Sequence, residues 1–243
     1  MSILPVIIIL YFVYHKDKNK ESFKLLFLFF LCGLASCSLV LEISTILKLL
    51  FPSIPWTPHS TNLLITFSYA FLGVALIEEI CKWIMVYFIG YHHHEFEELY
   101  DITVYAVFVS LGFACYENIM CVMQMGELKT AFLRAISAVP AHACDAVFMG
   151  YYLSIAKKYY FQKNKKLERK NIYLSILVPT ILHGIYDFCL FLNYHIFIFF
   201  FVLFITYLYT LSLEKLKEMS ESNIPMPNSI DKTVYKEEND SKE

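Results

Sequence analysis

Charged residues are scarce in this chain of 243 residues: Asp, Glu, Lys and Arg make up 17% of it, where a soluble domain carries about 25%. The few charges nearly cancel, at a net of −2, and nowhere gather into the basic face that nucleic acid would require, so that partner is excluded. No glycine-rich phosphate loop, heptad or internal repeat is present, which removes nucleotide-loop, coiled-coil and repeat architectures. The seven cysteines form no CxxC pair and lie in or beside apolar segments. Small buried hydrophobes, rather than a disulfide framework, are the expected role.

What the chain has instead is apolar surface: 58% hydrophobic and 17% aromatic residues, with a mean hydropathy of +0.52. That composition predicts an all-α, polytopic transmembrane helix bundle. Runs near the 20 residues needed to span a bilayer occur at Phe23–Leu41, Leu63–Gly90, Ile102–Met123, Ala131–Tyr152, Ile172–Leu192 and Tyr194–Leu213. Ile3–Tyr14 is shorter, but has no basic segment before it and no small-residue cleavage site after it, so a span is expected there rather than a signal peptide. Seven spans are thus expected within residues 1–213, with a polar tail over 214–243 that contains Pro225 and Pro227 and reads as disordered. The aromatic residues are assigned to the lipid-facing surface and the interfacial belts.

Sixteen of the 20 Lys and Arg fall in His15–Lys24, Lys157–Lys170 and the tail after Glu214. Seven alternating spans put all three on one side, and basic short loops stay cytoplasmic. The expected orientation is therefore N-terminus out and C-terminus in. The loop Tyr91–Asp101 shares the cytoplasmic side without a Lys or Arg. Its His92, His93 and His94 read as a solvated loop, because consecutive residues cannot all face one ion.

Function must come from the polar residues inside the spans, where each charge costs roughly 3 kcal/mol or more. With Ile3–Tyr14 counted as the first span, the third holds Glu78, Glu79 and Lys82, the fourth Glu117 and Asn118, the fifth His142 and Asp145, and the sixth His183 and Asp187. Glu78 and Glu79 are about 100° apart on a helix, so one can face a site while Lys82 neutralises the other. His142 with Asp145 and His183 with Asp187 each place an imidazole and a carboxylate on one helix face, where the acid orients the ring or joins it on a metal. Glu117, His142 and His183 on separate helices make a plausible Zn²⁺ site, and a remaining Glu suits a general base. Counted as depth along each span, the two histidines match, while the glutamates differ by up to roughly 13 Å.

Four motifs then resemble one family, the PrsW-type intramembrane proteases, relatives of the membrane proteases that process CaaX proteins. They are EExxK at Glu78–Lys82, FxxxEN at Phe113–Asn118, the His142–Gly150 stretch and HGxxDF at His183–Phe188, in the family's order; Asp101 and Arg134 also match an acid and a base of its pattern. The match covers roughly residues 72–190, the expected catalytic core. The resemblance implies hydrolysis of a peptide bond in or next to a bacterial cell membrane, in a single-span protein such as an anti-sigma factor. Carried over, it makes Glu78, Glu79, Glu117, His142 and His183 the active-site positions, with Lys82, Asn118 and Asp187 supporting. It leaves the role of Asp145 open, and leaves both metal-dependent and metal-free mechanisms open. The competing readings are an ion- or proton-coupled transporter built on a Glu/His relay, and a non-catalytic scaffold holding partner spans.

Overall fold

A computed structural model describes residues 3–222, except 59, 61, 94, 95, 97, 126, 127, 193 and 194. Its elements are helices: α1 (Leu4–Lys16), α2 (Phe23–Leu50), α3 (Leu63–Gly90), α4 (Asp101–Met125), α5 (Leu128–Ile136), α6 (Ala138–Phe161), α7 (Lys165–Leu192) and α8 (His195–Ser222). In hydrocarbon only a helix satisfies its own backbone, and the apolar runs deliver that outcome. Among the described residues, six helical stretches are long and apolar enough to span a membrane, and α1 is a shorter apolar helix. These spans make the chain a polytopic membrane helix bundle.

The runs mark the spans but underestimate the helices. α2 continues nine residues past Leu41 to Leu50, and α7 begins at Lys165, seven residues before Ile172. Lys and Glu are good helix formers, so a helix that has begun in lipid propagates into polar sequence. α8 likewise passes Leu213 and ends at Ser222, with Leu216, Met219 and Ser220 buried and Ser220 Oγ donating to the carbonyl of Lys16 at 2.8 Å. The expected disorder therefore does not begin at residue 214; its remainder, from residue 223 on, lies outside the described residues. All seven cysteines are free, with Cys37, Cys81, Cys115 and Cys144 buried.

α4 and the α5–α6 stretch form the centre: 61% and 67% of their apolar windows are buried, against 17% for α8. α2 meets α4 backbone to backbone. A Cβ on Gly33 would lie 2.0 Å from the carbonyl oxygen of Val109, and one on Gly112 would lie 2.2 Å from that of Phe30. Only glycine allows that approach, the small-residue packing typical of membrane helices.

Two local departures position the polar residues. α3 is π-helical over Tyr69–Ala75 and again over Val86–Gly90, bracketing the α-helical Leu76–Met85 that carries Glu78, Glu79 and Lys82. π turns shift the register of the side chains beyond them and recur at functional sites. Within the span Phe132–Phe161 the chain kinks at Ser137 (φ −120°, ψ −63°), so Pro140 sits in the first turn of α6, where its missing N–H is harmless.

Candidate active site

The intramembrane polar residues of α3, α4, α6 and α7 meet. Glu79 is fully buried and receives a hydrogen bond from Lys82 Nζ to its Oε1 at 2.6 Å. Lys82 Nζ also lies 3.2 Å from His142 Nδ1 and 4.5 Å from the centre of the Phe113 ring. An ammonium has only protons to give, so His142 Nδ1 accepts, and its Nε2–H donates to Glu117 Oε2 at 3.1 Å. His183 Nδ1 donates to Glu79 Oε1 at 2.8 Å, and its Nε2 points to Asp187 Oδ2 at 3.5 Å and Glu78 Oε2 at 3.8 Å. The two imidazole rings stand edge to face, 5.1 Å apart.

A cavity of about 470 Å³ opens onto this cluster. Glu78, Glu117, Arg134, His142, Asp145, His183 and Asp187 line it, together with Trp56, Tyr69 and Gly73 toward the α2–α3 connection. Glu79 and Lys82 do not line it and are sealed behind it. The adjacent glutamates thus have different surroundings, as their 100° separation requires.

The family model for the PrsW family intramembrane metalloproteases matches residues 21–211. The chain belongs to this family. It is 36% identical over 223 residues to Protease PrsW of Oceanobacillus iheyensis, covering 92% of this chain and 96% of that protein. It is also similar to Protease PrsW of Geobacillus kaustophilus (46% over 121 residues, 50% and 51% of the two chains) and of Clostridioides difficile (29% over 222 residues, 90% and 89%). No solved structure matches. As a member of the PrsW family the protein is an intramembrane protease.

The family's metal can be tested against these residues. One donor atom each from Glu79, His142, Asp145 and His183 lies within 4.8 Å of all the others, and all four residues are buried. Two imidazoles and two carboxylates are what Zn²⁺ accepts, and Oε2 of Glu79 and Oδ1 of Asp145 are buried without a hydrogen-bond partner. The residues present fit a metal ion. Glu117 is not in that set: its side chain, 31% exposed, is held by Arg134 Nη2 at 2.7 Å as well as by His142.

Asn118, expected as a supporting residue, accepts from Arg134 Nε at 3.1 Å, so the α5 arginine ties together two neighbours on α4. The bond from Arg134 to Glu117 was not read from the sequence. The available signal was an Arg in a stretch otherwise without charge between Lys129 and Asp145, where an intramembrane cation implies a partner. Asp187, expected to orient His183, is its more distant partner, and Glu79 the nearer one. His92 Nδ1 lies 3.2 Å from the Tyr87 carbonyl; His94 lies outside the described residues.

Proposed function

We propose that this protease cleaves a peptide bond in or beside the membrane within a single-span substrate such as an anti-sigma factor, with Glu78 as the general base. The observation that carries the proposal is the division of labour in the acidic pair. Glu78 lines the cavity, while Glu79 is spent on Lys82 and His183.

Glu78 takes a proton from water lying between its carboxylate and the His183 edge, and the hydroxide attacks the scissile carbonyl. Arg134, which lines the cavity, places positive charge where the oxyanion develops. Glu78 then returns the proton to the leaving amine, so that water and peptide become a carboxylic acid and an amine. Glu79 holds His183 by Nδ1 and Glu117 holds His142 by Nε2, each fixing a ring in the way that carboxylate partners do. Glu79, His142 and His183 would hold a metal ion, with Zn²⁺ the best match to a nitrogen and oxygen set; it would polarise the carbonyl and make bound water acidic.

The orientation that supports this reading places the N-terminus outside and the C-terminus in the cytoplasm. Reporter fusions at Lys20 and Lys163 should both read as cytoplasmic, and an outside reading at either overturns it. The mechanism is tested with purified protein and a library of membrane-span peptides. Glu78→Gln preserves volume and hydrogen bonding but removes the proton acceptor, so cleavage should fall by at least about 10²-fold, with folding intact and uncleaved substrate retained. Wild-type cleavage per folded molecule would refute the role of Glu78.

A further inference from the structure

Asp145 is the one residue of the buried donor set to which neither the motif resemblance nor the mechanism above gives a task. It lies one turn after His142 on α6 and is 2% exposed, it lines the cavity, and its Oδ1 has no hydrogen-bond partner. A carboxylate buried without a donor or a cation is among the most unfavourable arrangements a protein can hold. The obvious counter-ion is Lys82, but its ammonium is placed on Glu79 Oε1 and His142 Nδ1, and among the described residues Asp145 forms no ion pair. Lys82 therefore borders the donor set and leaves Asp145 unused.

We propose that Asp145 is a metal ligand, completing with Glu79, His142 and His183 the set that holds the divalent ion of this protease. The inference rests on the metal-dependent form of the function proposed above. Three helices contribute: Glu79 from α3, His142 and Asp145 from one turn of α6, and His183 from α7. The spacing of His142 and Asp145 (i, i+3) keeps their donor atoms on one face and fixes their separation by the helix itself. A divalent ion there supplies the positive charge that Asp145 otherwise lacks, and it competes with the Lys82 ammonium for Glu79 and His142.

The test is metal binding without substrate. Wild type, Asp145→Asn and Asp145→Glu are stripped with chelator in detergent and titrated with Zn²⁺ by competition against a chromophoric chelator, then with Co²⁺ while its visible absorption is recorded. Asp145→Asn should bind at least about 100-fold more weakly, since even partners outside the ligand shell lose 10- to 100-fold. Its metal-free melting temperature should not fall, because the change removes an uncompensated buried charge. Should Asp145→Asn fail to fold, Asp145→Glu decides: it retains a carboxylate and should bind with a shifted cobalt spectrum. Wild-type affinity in Asp145→Asn, or an unchanged cobalt spectrum in Asp145→Glu, overturns the proposal. A wild type that binds no metal also overturns it, yet leaves the protease reading standing if Glu78→Gln abolishes cleavage. A wild type that binds metal through Asp145 but cleaves nothing separates the two in the other direction.

Discussion

Two groups of buried carboxylates stand toward the two ends of α4. Glu117 follows Asp101 by 16 residues (117 − 101), about 24 Å along the helix. Around Glu117 two acids have fixed cations, Lys82 for Glu79 and Arg134 for Glu117, with the two imidazoles between them, and among the described residues Asp145 alone of the buried donor set forms no ion pair. At the Asp101 end, oxygens of Asp17, Glu98 and Asp101 also lie within 4.8 Å of one another. There neutral groups donate. Asp17 Oδ1 accepts from the Asn19 N–H at 3.2 Å, Asn19 Nδ2 donates to Glu98 Oε1, and Asp101 Oδ2 accepts from the Glu98 N–H at 2.7 Å. Among the described residues neither Asp17 nor Glu98 has a Lys or Arg within ion-pair distance, and one oxygen of each is buried without a partner.

The difference follows from depth. Inside the bilayer an ion requires an ion, so the Glu117 end recruits Lys and Arg into apolar helices where each is expensive. At the Asp101 end, where connections between helices meet water, a proton can do the neutralising. Burial pushes the Asp17 carboxyl up to about 6, with the Glu98 charge adding to the effect.

The largest expected effect comes from removing a fixed cation. Lys82→Met leaves Glu79 buried beside His183 without its ammonium, and breaking a buried pair costs about 3–5 kcal/mol. Thermal unfolding in detergent should show a sharply lowered midpoint and activity should disappear, whereas Glu78→Gln loses activity alone. Adding Glu79→Gln to Lys82→Met removes both charges and should recover much of the stability without activity. If Lys82→Met melts like wild type, the Lys82 ammonium does not neutralise Glu79, and the comparison between the two ends fails.

How much of this was legible in the sequence depends on the kind of interaction. Spans were readable because lipid demands about 20 apolar residues regardless of tertiary context. Their ends were not, since residues 42–50 and 165–171 continue helices by propensity and packing. The polar residues inside the spans were readable as a set, because each is too costly to lie there idle. Their pairing was not. Spacing could attach Asp187 to His183, but only the fold shows that Glu79, 104 residues away, is the nearer partner. The depth mismatch of the glutamates came from counting residues from span ends drawn on the sequence, and the helix that carries Glu117 runs two residues past Met123, to Met125. The acidic end was hidden for a simpler reason. Asp17 and Glu98 lie in connections that read as solvated, and nothing local signals their 4% and 6% exposure.

The smallest expected effect tests that acidic end. A carboxyl whose value in the folded protein, about 6, lies above its unfolded 3.8 binds its proton more tightly when folded. Its contribution is then fully present below about pH 4 and is lost as pH rises through 6. Asp17→Asn keeps an acceptor for the Asn19 N–H and removes the charge, so it should match wild type near pH 4. It should be the more stable of the two above pH 6, by at most about 3 kcal/mol for a shift near 2 units. The measurement is the detergent melting midpoint of both proteins from pH 4 to 7.5. A gap that opens with rising pH supports neutralisation by protons at this end. A gap of the opposite sign, with Asp17→Asn the weaker protein at pH 7, would mean that the ionised carboxylate is stabilised there, as at the Glu117 end, and that the two clusters differ in position but not in kind.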